Sequence, residues 1–173
     1  MIALAGLAGA ERAGAIAITG TVTGGSTLSA TSTGSPSFSL TLNGVDQTPT
    51  YTLPAQATDP RGTGAGWNLT VTSTQFNDGS GHTFPTTASS ITAASNACSA
   101  GSTCTTATNS VSYASLTLPA GPTAPAAVKY FNATANTGMG KMDVSATVSV
   151  AVPANVFAGT YSSTVTVSIV SGP

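Results

Sequence analysis

Charge is what this chain lacks most. Its 173 residues include four Lys and Arg, five Asp and Glu and one His, so 5% of the chain is charged, where ordinary soluble domains carry about 25%. With a formal net charge of −1, there is no basic patch to neutralise phosphates, and nucleic acid is excluded as a partner. The scarcity also argues against catalysis. A general acid–base pair, a metal triad or an activated nucleophile needs several polar groups brought together. Asp46, Asp59, Asp78 and Asp143 are scattered, without calcium-loop spacing. His82 follows a Gly-rich turn and has no nucleophile-elbow serine beside it. The expectation is no enzyme, no catalytic residue, no metal and no cofactor.

Cysteine is nearly absent too. The two present, Cys98 and Cys104, bracket the small-residue loop Ser-Ala-Gly-Ser-Thr. Zinc would need two more soft ligands, and His82 alone is to hand. The pair therefore reads as a local disulfide, which implies an oxidising, extracellular setting. Long apolar runs are missing: Met1–Ala10 is apolar but too short to span a membrane. It resembles the end of a secretory signal without a basic leading region. Read as a retained arm, it offers Ile2, Leu4 and Leu7, followed by the alternating Ile16, Ile18 and Val22.

Helical periodicity with caps is lacking throughout, and what remains is β patterning. Apolar residues recur at period two in Ile16–Val22, in Phe38–Leu42 before the turn Asn43-Gly44, and in Tyr51–Leu53. The pattern returns in Trp67–Phe76, which ends at the turn Asn77-Asp78-Gly79. Residues 84–109, rich in Ser, Thr and Ala, read as a long surface excursion carrying the disulfide. Val111–Leu118 and Ala127–Phe131 offer further strands. The clearest are Val144–Val152 and Tyr161–Ile169, where alternation is unbroken. The fold class expected is all-β: an antiparallel immunoglobulin-like β-sandwich over residues 16–173, with an apolar arm over 1–15.

The most informative stretch is Asp59-Pro-Arg61-Gly-Thr-Gly-Ala-Gly66-Trp67-Asn-Leu69-Thr-Val71. A Gly-rich turn runs into a strand whose Trp67, Leu69 and Val71 share one face. A lone Trp at the inward parity of a strand reads as core before it reads as a sugar platform. Asp59 and Arg61 read as a pair pinning the turn before they read as a ligand site. Asn68-Leu-Thr70 and Asn132-Ala-Thr134 are N-glycosylation sequons, candidate modification sites where the machinery exists.

This stretch, together with Gly159-Thr-Tyr161 and the alternating strand after it, resembles the WxL-domain family of bacterial surface proteins. Trp67 and Leu69 match its first signature, and Gly159 and Tyr161 its second. The family's last strand often carries another Trp, where this chain has Val167. The resemblance implies secretion, a β-sandwich and non-covalent attachment to the wall, with peptidoglycan as partner. Two functions are therefore expected. The favoured one is a structural subunit of an extracellular filament, built from copies of itself by inserting the N-terminal arm into the next subunit. Near-zero charge opposes self-association little. The alternative is a monomeric module that binds peptidoglycan.

Overall fold

The computed structural model describes residues 18–173. Ile2, Leu4, Leu7 and Ile16 of the expected arm, and the expected boundary at 15, lie outside them. The described chain is an immunoglobulin-like β-sandwich without a helix among the described residues. Its nine strands are β1 (Ser29–Ser32), β2 (Thr50–Asp59), β3 (Trp67–Thr74), β4 (Ser89–Cys98), β5 (Leu116–Thr117), β6 (Ala120–Gly121), β7 (Val128–Ala133), β8 (Gly140–Val150) and β9 (Val165–Ser171).

One sheet runs β1-β2-β8-β4-β5. In the other, β3 is central, with β9 along one edge and β7, then β6, along the other. All pairings are antiparallel except the two-residue β3–β6 contact. Period-two patterning accounts for the layers. Tyr51, Leu53, Ala55 and Ala57 of β2 and Met142, Val144, Ala146, Val148 and Val150 of β8 are buried. From the other sheet come Trp67, Leu69, Val71, Tyr130 and Phe131. The two inner faces differ in size: alanines and valines on the first sheet accommodate the large rings of the second, as close packing requires.

Several strand expectations change. Of Val111–Leu118 only Leu116–Thr117 forms a strand, and Val111 to Tyr113 lie outside any. Residues 18–28 form no strand; Gly20, Gly24 and Gly25 weaken β formation there, and the alternation in Ile18–Val22 finds no ladder among the described residues. Phe38 to Leu42 also lie outside any strand, although Phe38 and Leu40 pack half-buried on the core. Tyr161 to Thr164 precede β9 rather than belong to it. The largest change is in 84–109. This stretch contains β4, ten residues long and paired along β8. Only Ile91 gives it a large apolar anchor; a bulge between Ile91 and Ala93 then shifts the register.

Candidate functional site

The two ends of the sandwich are built differently. At one end, β2 delivers Asp59 and the Gly-rich turn delivers Arg61. The Arg61 Nε donates to Asp59 Oδ1 at 2.8 Å and Nη2 donates to Oδ2 at 2.9 Å. Nη2 also donates to the Gly66 carbonyl at 2.9 Å, and Nη1 donates to Ser171 Oγ. The fork thus ties β2, the turn and β9 together. Asp59 is 2% exposed, and the Arg61 hydrogen bonds hold its carboxyl below the usual range against the opposing effect of burial.

Trp67 and Leu69 are fully buried. The indole Nε1 donates to the Gly138 carbonyl at 2.8 Å, and the ring lies 6.0 Å from that of Phe131. The turn approaches so closely that a Cβ on Gly66 would sit 2.4 Å from the Ala133 carbonyl oxygen. One on Gly138 would sit 2.7 Å from the indole nitrogen. Both glycines also hold positive φ. The Cys98–Cys104 disulfide closes the adjacent loop. This end is filled: the charged pair and the indole N–H are hydrogen-bonded within the fold, and of the groups beside them the buried Asn68 Oδ1 has no partner among the described residues.

The sequons are held by the fold as well. Asn132 is 1% exposed and its Oδ1 accepts from Ser110 N and Oγ. Asn68 is half-buried and its Nδ2 donates to the Gly172 carbonyl. In the folded domain these side chains serve the backbone around them.

The opposite end is open. The start of β2, the chain before and after Phe38, the 76–84 turn and the 152–165 connection enclose a groove of about 1050 Å³. Aromatic rings line it in sequence: Tyr51 to Phe38 (6.3 Å), Phe38 to Phe76 (5.9 Å), Phe76 to Phe84 (5.5 Å) and Phe84 to Tyr161 (4.3 Å). Phe157, 63% exposed, stands at the rim.

Local chemistry holds that rim. Asp78 Oδ1 accepts from Ser80 N at 2.8 Å and His82 N at 3.0 Å, and Asp78 Oδ2 meets His82 Nδ1 at 2.6 Å. The His82 hydrogen bond, with backbone donors behind it, keeps the Asp78 carboxyl below its ordinary range. The fixed imidazole stacks on Phe157 with centroids 3.9 Å apart. Tyr161 Oη donates to the Phe157 carbonyl at 3.1 Å. Across the groove, Ala154 N donates to Asp46 Oδ1 at 2.8 Å and Gln47 bridges Val152, anchoring the two lips together. Ser37, Ser39, Thr41 and Ser163 are among the residues lining the same space, the Ser163 hydroxyl donating to the Thr74 carbonyl.

The expected motif residues are therefore divided. Asp59, Arg61, Gly66, Trp67 and Leu69 meet at the filled end, while Gly159 and Tyr161 stand at the groove. Phe84 and Phe157 were not singled out from sequence, and Phe38 reads there only as the inward face of a strand.

A family model described as "WxL domain surface cell wall-binding" matches residues 20–173. No curated protein and no solved structure matches the chain.

Proposed function

The chain belongs to the WxL family of surface cell-wall-binding domains, and from that premise we propose that it is a binding module, not an enzyme, held non-covalently on the wall through the aromatic groove. The observation that carries this reading is the contrast in access. The signature Trp67 is sealed in the core, whereas Phe157 and Tyr161 border an open groove. Open apolar clefts with a few oriented polar groups are the usual form of a ligand site. At about 1050 Å³ this one is at the upper end of the ~300–1,000 Å³ range of ligand pockets. Peptidoglycan is the partner that the family implies. The test is retention on purified cell walls. Tyr161→Phe retains the ring, whereas Phe157→Ala removes the platform. Equal retention of Phe157→Ala and the parent chain would sink the groove as the site.

A second reading, the filament, rests on a different observation. Ile18 and Val22 are 93% and 98% exposed, and β9 pairs along one edge with β3 and along the other with no strand among the described residues. An alternating segment on one copy and a free strand edge on the next are complementary. The family's wall-binding description favours the first reading. Deleting residues 1–22, so that Ile18 and Val22 go with the rest of the arm, discriminates: the filament reading requires the truncated chain to remain monomeric, and fibres of normal length would rule it out.

A further inference from the structure

We infer that the groove selects an uncharged, hydroxyl- and acetamide-bearing sugar strand of the wall, in preference to its charged peptide stems or its anionic phosphate polymers. This rests on the wall-binding reading above and goes further by naming the chemistry recognised.

The first ground is the lining. None of the residues that form the groove is an Asp, Glu, Lys, Arg or His. Its ionisable members are Tyr51 and Tyr161. Burial pushes the Tyr51 phenol up to about 12 and raises that of Tyr161 as well, so both remain neutral hydroxyls. The charged groups nearest in sequence are already engaged: Asp78 with His82, and Asp46 with the Ala154 N–H.

The second ground is where the cations sit. Among the described residues these are Arg61, Lys129 and Lys141. Arg61 is bound to Asp59 at the filled end. Lys141 lies opposite Thr58 on β2, roughly 23 Å along the strand from Tyr51 at ~3.3 Å per residue. Lys129 is on β7, across β3 from β9. A polyphosphate-type polymer needs several cations along its path, and the groove presents none. Stem peptides bring carboxylates and amines that would lose water with no opposite charge in the lining to compensate them.

What the groove does present matches a pyranose. A flat, exposed ring held edge and face by its neighbours receives the C–H face of a sugar at little entropic cost. The serine and threonine hydroxyls both donate and accept, which suits sugar hydroxyls and acetamides.

The test uses the full chain bound to purified walls, with three soluble competitors and a salt series. Uncharged N-acetylglucosamine oligomers should displace it, while stem peptides and isolated phosphate polymers should not. Retention should hold to within a factor of about 3 from low to molar salt, since little of it is screenable. Phe157→Ala should weaken retention by about tenfold or more, with its melting curve showing the fold intact. Displacement by stem peptides or phosphate polymers, release by salt, or indifference to the oligomers would each overturn the inference while leaving wall binding in place. Failure of the chain to bind any wall preparation would instead overturn the wall-binding reading.

Discussion

The filled end and the open end of this sandwich each use a few polar residues, to opposite effect. Around Trp67, the paired charges and the indole donor are turned inward: Arg61 spans Asp59, Gly66 and Ser171, and the indole N–H reaches Gly138. Around Phe157, the charges hold a rim from outside, Asp78 fixing His82 and His82 backing the ring. The family signature at Trp67 is therefore a device of stability. The aromatic set at the other end, with Gly159 and Tyr161 of the second signature, lines the groove proposed to meet the wall.

If the ends divide labour in this way, substitutions should separate stability from retention. The largest effect on stability is expected at Trp67. Trp67→Ala removes a fully buried ring and orphans the Gly138 carbonyl, at a cost of about 3–5 kcal/mol. Chemical denaturation should show it as a lower midpoint. Whatever fraction of the chain stays folded should still bind walls. Loss of retention by molecules that remain folded would break the comparison, because it would place Trp67 in the site.

Arg61→Ala comes next, at about 3 kcal/mol, since it leaves Asp59 buried without its partner. The pH dependence sharpens this. In the parent chain Asp59 titrates below its unfolded value of about 4. The pair therefore stabilises fully above that value, and its contribution is lost as pH falls through the folded value. Without Arg61, burial dominates and raises the Asp59 pKa, so acidification relieves the strain. The stability gap between variant and parent should narrow from about pH 7 to about pH 3. A constant gap would mean that Asp59 is not the group left exposed to the penalty.

Replacing both Cys98 and Cys104 by Ser should cost roughly 2 kcal/mol, the chain-entropy value for so short a loop. Retention should not change, because the bridge is at the filled end, beside Gly140 and away from the groove. Reduced retention by the folded double variant would show that the ends communicate.

How much of this division was legible beforehand depended on what each segment is made of. In β8, valines alternate from Val144 to Val150, and period two is unmistakable. The Trp67 strand is equally plain. In β4, Ser, Ala and Thr occupy both faces, so no contrast in hydropathy exists to reveal a strand; its place is fixed by pairing with β8, a long-range contact. Phe38 to Leu42 fails in the opposite way. Its alternation reflects a real inward face, but the segment crosses the groove without pairing into a strand. The groove was hidden for a related reason. Phe38, Tyr51, Phe84 and Tyr161 come from four distant segments and converge only through the strand order. Asp59 and Arg61 are two residues apart, so their pairing could be read directly.

The smallest effect on stability, and the largest on retention, is expected at Phe157. The ring is 63% exposed, so Phe157→Ala forfeits little buried area. It loses the stack on His82, worth about 1 kcal/mol or less. A midpoint shift within that range, accompanied by loss of wall retention, would complete the separation that Trp67→Ala begins. His82→Ala refines it. This change leaves Phe157 in place but removes the imidazole behind it and frees Asp78. The ring then samples more rotamers, and ordering it on binding costs more, so retention should fall by less than it does in Phe157→Ala. Equal losses in the two variants would mean that the platform works only while pinned. No loss in His82→Ala would mean that the ring is positioned by the Phe157–Tyr161 backbone turn alone, and that the Asp78–His82 pair serves only the turn it closes.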